Sequence, residues 1–109
     1  MFVYSDTLMD IQGVKENIEY RLPLNNEELY NWGGLLHNCL FSYSHHISNN
    51  RSTIFGLFID DMFRYVIEIQ KNRIVQVSAA YNKPLDEAVR GKIDRWYKEV
   101  YLPILWGLC

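Results

Sequence analysis

Cysteine is nearly absent. Cys39 and Cys109 are the only two, one mid-chain beside a histidine and the other at the last position, so a disulfide framework is excluded and a reducing cytoplasm is the expected compartment. Long apolar runs are missing as well: nowhere do the roughly 18 uninterrupted apolar residues of a membrane span occur. The nearest approach, Tyr101–Cys109, is interrupted by Pro103 and Gly107 and reads as a packed tail. The opening MFVYSDTLMDIQ carries no basic segment of the secretory type, so neither export nor membrane insertion is expected. Positive charge is not in excess, with 11 Lys and Arg against 13 Asp and Glu, which excludes coating of nucleic acid by bulk charge. There is no internal repeat, no low-complexity tract, no glycine-rich phosphate loop, and neither a G-x-S-x-G nor an H-E-x-x-H motif. No familiar enzyme signature remains.

What the chain does have is apolar and aromatic mass. Of 109 residues 49% are hydrophobic, with 8 Tyr, 5 Phe and 3 Trp, enough for one core without staples, so residues 1–109 are read as a single domain. Glu19–Leu24 looks extended, and Asn25 is placed to cap a helix whose first turn holds Glu27 and Glu28. Leu29, Trp32, Leu35, Leu36, Cys39, Leu40 and Tyr43 then recur at helical spacing, and Gly33-Gly34 among them suggests close packing. Thr53–Ile59 reads as a buried strand. Phe63–Gln70 and Arg73–Ala80 follow, joined by Lys71-Asn72 at hairpin spacing. Tyr65, Ile67 and Ile69 share one face of the middle strand, and Arg64, Val66, Glu68 and Gln70 the other, the pattern of a half-covered sheet. Pro84 fits the first position of a last helix, with Asp86 and Glu87 at its positive end and an apolar stripe from Leu85 to Tyr101. The fold class is therefore α+β: an N-terminal helical region, an antiparallel meander of three strands and up to five, and a C-terminal helix on the sheet. Phe2–Tyr4 or Ile18–Leu22 are the candidates for added edge strands.

Arg21-Leu22-Pro23, Glu28-Leu29, Leu36-His37-Asn38-Cys39-Leu40 with Tyr43, Tyr65–Ile69, Ile74-Val75-Gln76 and Asn82-Lys83-Pro84 together resemble, in order and spacing, the PcfJ-like domain over about residues 20 to 97. The resemblance implies an origin on a conjugative plasmid, integrated element or phage. The chain departs from the family in two places. Phe41 stands where relatives usually have glycine after the cysteine and an aliphatic residue, and Ser78–Tyr81 lacks a glycine and a basic residue before the asparagine. A pocket formed there in relatives would be filled here by Phe41 and Tyr81.

The most reactive-looking cluster is His37, Cys39 and Tyr43, with Gln76 from the hairpin as a further candidate. A thiol nucleophile needs a base within hydrogen-bond reach, and residues two apart on a helix point about 200° from each other, so His45 or His46 would have to return to Cys39. His37, Cys39, His45 and His46 also offer a candidate zinc site, without the usual paired spacing. The plainer reading is a buried Cys39 and a hydrogen-bonded His37. Glu68, on the polar strand face with Arg64 and with Gln76 on the neighbouring strand, invites a general-base role, against which stands a solvated cross-strand pair. Arg90, Arg95 and Lys98 make a modest basic face on the last helix, diluted by Asp94 and Glu99.

Residues 1–60 carry three basic against seven acidic side chains, and residues 61–109 eight against six. With the aromatics, this acidic half points to a binding protein. The expected partner is a host protein or nucleoprotein complex whose function the chain modulates, as an anti-CRISPR-type inhibitor would. Glu27, Glu28, Tyr30, Tyr81 and Trp106 are the expected contacts, and Phe2 and Tyr4 are further aromatics expected to be free. No cofactor and no membrane partner is implied. The rivals are a nucleic-acid-binding or -processing module built on His37, Cys39 and Tyr43, and a homodimer formed through exposed Leu102, Ile104, Leu105 and Trp106.

Overall fold

A computed structural model describes residues 2–36, 52–80 and 83–107. Five strands, β1 (Gly13–Lys15), β2 (Ile18–Arg21), β3 (Thr53–Ile59), β4 (Met62–Gln70) and β5 (Arg73–Ala79), form one antiparallel sheet in sequence order. Around it lie α1 (Asp6–Ile11), α2 (Asn26–Leu36), α3 (Glu87–Trp96), a π-helical turn (Tyr97–Tyr101) and α4 (Leu102–Leu105). The α+β class and the meander with its C-terminal helix follow the sequence pattern. The five strands include Ile18–Arg21 as expected; the other added strand is Gly13–Lys15 rather than Phe2–Tyr4.

Three hairpins are closed by two-residue turns, Glu16-Asn17, Asp60-Asp61 and Lys71-Asn72, and all six residues have positive φ between 52° and 69°. Positive φ at both central positions is the type I′ geometry, whose twist matches that of paired strands. None of the six is glycine; Asp and Asn tolerate the left-handed region better than other side chains, and they hold four of the positions.

Both faces of the sheet are covered. On one, Phe55, Leu57, Ile67 and Ile69 join Ile18, Tyr20 and Leu22 against Ile11 of α1 and Ile93, Trp96 and Tyr101 of the C-terminal helix. Trp96 stacks on Tyr20 at 4.2 Å between ring centres and meets Phe55 edge-on at 5.2 Å, contacts worth about 0.5–1.5 kcal/mol each beyond burial. On the other face Leu29 and Trp32 of α2 close over Ile54, Val66 and Ala80. The half-covered sheet expected from the alternation in β4 is thus corrected: the long connection between β2 and β3 lays α2 across the second face.

The helix termini show how local chemistry decided the boundaries. Asn25 caps α2 through Oδ1, which accepts the Glu28 N–H at 2.9 Å, while Glu28 Oε1 reaches back one residue past the cap to accept from Leu24 N at 3.1 Å, a relative of the capping box. Pro84 does not open α3. Asp86 is the cap, its Oδ1 accepting from Ala88 N at 2.8 Å, because a carboxylate satisfies an orphan N–H that a proline ring cannot. Farther on, Pro103 has no N–H to bond four residues back, and the preceding turn widens so that Leu102 N reaches Tyr97 O. This turn presents Tyr97 Oη to Asn72 O at 2.5 Å and Tyr101 Oη to Asn72 Oδ1 at 3.3 Å, which pins the helix to the β4–β5 turn.

Two further expectations are corrected, the first in part. Of Gly33-Gly34, Gly33 is buried while Gly34 is exposed with open space around it; at Gly56 a Cβ would stand 2.7 Å from Trp32. Leu102, Ile104 and Leu105 are not an exposed dimerisation strip, since all three are partly buried against the first core and α4 packs on α1.

Candidate functional site

On the α2 side of the sheet the apolar cluster gives way to polar side chains. Ser52 and Glu68 are the buried polar residues among those described. Glu68 Oε2 accepts from Ser52 Oγ at 3.1 Å and from Gln70 Nε2 at 2.9 Å, and Gln70 also donates to Ser52 Oγ at 3.2 Å. Period-2 alternation puts Glu68 and Gln70 on one face of β4, and antiparallel register sets Gln76 of β5 opposite Glu68. Gln76 and Glu68 therefore meet as neighbours in register. Their side chains take different partners: Gln76 Nε2 turns along its own strand to Ser78 Oγ at 3.1 Å.

The cross-strand neighbours Glu68 and Gln76 stand in the expected register, but the expectation that this pair is solvated is corrected at Glu68. Glu68 lies under cover, with its carboxylate satisfied by a hydroxyl and an amide, while Arg64 is exposed and its Nη2 lies 3.7 Å from Met62 Sδ. The arrangement offers a fixed acceptor flanked by amides, a hydrogen-bonding platform. Of the expected catalytic set, Gln76 is placed here; His37, Cys39 and Tyr43 lie outside the described residues, as do His45 and His46 of the expected metal set. No group of three or more His, Cys, Asp or Glu among the described residues is arranged to hold a metal ion.

The expected contact residues are spread over two surfaces. Glu27 and Tyr30 stand on the outward side of α2 with Asn31, at the three- and four-residue spacing of one helix face, and Tyr30 is 65% exposed. Glu28 is committed to the helix cap. Trp106 is 62% exposed at the end of α4, far along the chain from these. Tyr81 lies outside the described residues. Phe2 and Tyr4 are not free: both pack on the second core, and the Tyr4 hydroxyl, raised well above its usual range by burial and then by Glu28, donates to Pro23 O at 2.6 Å.

On the C-terminal helix Arg90 and Lys98 are exposed. Arg95 is engaged by Glu16 in a two-pronged pair, Nε to Oε2 at 3.0 Å and Nη2 to Oε1 at 2.9 Å. That hydrogen bond, opposed by partial desolvation, lowers the Glu16 carboxyl and raises the Arg95 guanidinium. The pairing joins the first hairpin turn to α3. Lys15 extends it, 3.9 Å from Glu99. No helix among the described residues is long and apolar enough to cross a membrane.

The family model described as PcfJ-like protein matches residues 5–91. The match reaches further toward the N-terminus than the residues that carried the resemblance, taking in α1 and β1. No curated protein and no solved structure matches the chain.

Proposed function

The chain belongs to the PcfJ-like protein family, and from that premise we propose that it is a non-enzymatic binding module of a phage or plasmid that docks onto a host macromolecular machine and modulates it. The outward face of α2 carries this reading. Leu29 and Trp32 anchor the helix to the sheet with almost no exposure, and its opposite side holds out Glu27, Tyr30 and Asn31. A rigidly mounted tyrosine beside a carboxylate offers aromatic area at low entropy cost and a charge that suits a basic surface. A nucleic-acid-directed effector, with its basic channel, is the class of target such a face complements, and an anti-CRISPR-type inhibitor is the corresponding role.

The test is retention of partners from a bacterial host lysate, with and without nuclease, by the tagged chain and by the double variant Glu27→Lys with Tyr30→Ala. A nuclease-resistant protein partner kept by the wild type and lost by the folded variant is the expected result. Equal retention by both overturns the α2 assignment. Partners that vanish on nuclease treatment would shift the reading to direct nucleic-acid binding, for which exposed Arg90 and Lys98 are the available contacts.

A further inference from the structure

At the end of the sheet where β4 begins and the chain leaves β5, a groove of about 250 Å³ is lined by Leu35 of α2, Met62, Phe63 and Arg64 of β4, and Ala80 and Lys83 beyond β5. We propose that this groove binds a small organic phosphate, its phosphate between Arg64 and Lys83 and its apolar body against Leu35, Phe63 and Ala80. Charge is the first argument. The charged side chains among the described residues lining the groove, Arg64 and Lys83, are both cations, no carboxylate is among those residues, and neither cation belongs to an ion pair among the described residues.

Backbone geometry is the second. Leu57 stands opposite Tyr65 and Phe58 opposite Phe63, so Arg64 is the extra residue of a bulge with no cross-strand partner. Bulges turn a side chain out of the regular alternation, and they are enriched beside binding sites. The wall is also fixed before any ligand arrives. Phe63 stacks on Trp32 at 5.5 Å and meets Phe58 at 5.6 Å, and Ala80 is almost fully buried, which lowers the ordering cost of binding. A phosphate monoester carries about −1.5 to −2 charge near neutral pH and suits two cations, one of them a guanidinium fork, better than a carboxylate does. The volume lies just below the roughly 300 Å³ at which pockets for drug-sized ligands begin, a size that suits a small guest.

Titration calorimetry with phenyl phosphate and adenosine monophosphate, against inorganic phosphate and benzoate, tests the site without reference to the α2 face. At least one organic phosphate is expected to bind about tenfold or more tighter than inorganic phosphate or benzoate, and Arg64→Gln and Lys83→Gln each to weaken it by about tenfold, the scale of one lost charge-assisted contact. Arg73→Gln, an exposed cation elsewhere on β5, is expected to change nothing. Absence of binding at millimolar ligand, equal affinity for inorganic phosphate, or an equal loss in Arg73→Gln would each overturn the proposal. Circular dichroism of the variants guards against loss of fold, and because Lys83 lies outside the sheet its variant keeps the test decisive if Arg64→Gln unfolds.

Discussion

The six-membered ring of Trp32 rests on the backbone at Gly56: a Cβ placed there would stand 2.7 Å from Cη2 and 2.8 Å from Cζ2. Glycine is required at this position by the contact between α2 and β3, since the indole is itself held by Phe63 and Phe58 and cannot retreat. Gly56→Ala is therefore expected to destabilise the fold by about 1–3 kcal/mol, as overpacking does. Urea denaturation of the two proteins measures it.

The turns should respond in opposite ways to the same change. Asp61 is in the left-handed region and its weak approach to Arg21 is at 3.8 Å on a nearly bare side chain, so Asp61→Gly relieves strain and is expected to stabilise by about 0.5–1 kcal/mol. Asn72 has the same backbone but its Oδ1 accepts from Tyr101. Asn72→Gly should gain little or lose stability, the removed hydrogen bond offsetting the relief by about 1 kcal/mol. Paired thermal melts separate the two cases.

Burial of Glu68 predicts a structural cost that its neighbour in register does not share. Glu68→Ala leaves the buried Ser52 hydroxyl without its acceptor and takes one of two acceptors from Gln70 Nε2, and is expected to cost about 1–3 kcal/mol. Gln76→Ala, at an exposed site, should stay within about 0.5 kcal/mol. Equal losses in denaturant midpoint would refute the distinction.

The Glu16–Arg95 pair makes stability depend on acid. The Arg95 hydrogen bond lowers the Glu16 carboxyl below its ordinary 4.5 in the folded chain, so its contribution is fully present above that value and is lost as pH falls through the depressed folded pKa. The difference in denaturant midpoint between wild type and Arg95→Gln should be measurable at neutral pH and close to nothing in strong acid. A difference that grows on acidification would contradict the pairing.

Much of this was legible residue by residue. The β3 limits Thr53–Ile59 and the Lys71-Asn72 turn follow from local pattern, because alternation and turn chemistry act over a few neighbours. The Asn25 cap is equally local. Pro84 misled because the helix start was decided by a competing local acceptor, Asp86. Of the candidate site, Gln76 and Glu68 were visible as residues on neighbouring strands, whereas nothing in the sequence marks Glu68 as covered or Lys83 as lining a groove with Arg64. The spare residue in β4 that turns Arg64 out is a matter of register between two strands, which no single segment encodes.

By itself the amino-acid order determined the α+β class, the apolar face for the C-terminal helix, the meander of β3 to β5 and the family, since each depends on side-chain type and short-range spacing. Tertiary structure alone decided what the second face of the sheet would carry. Whether Val66 meets water or α2 depends on where the β2–β3 connection lays its helix, a packing choice made between residues far apart in the chain and fixed by the fit of Trp32 into the space Gly56 leaves open.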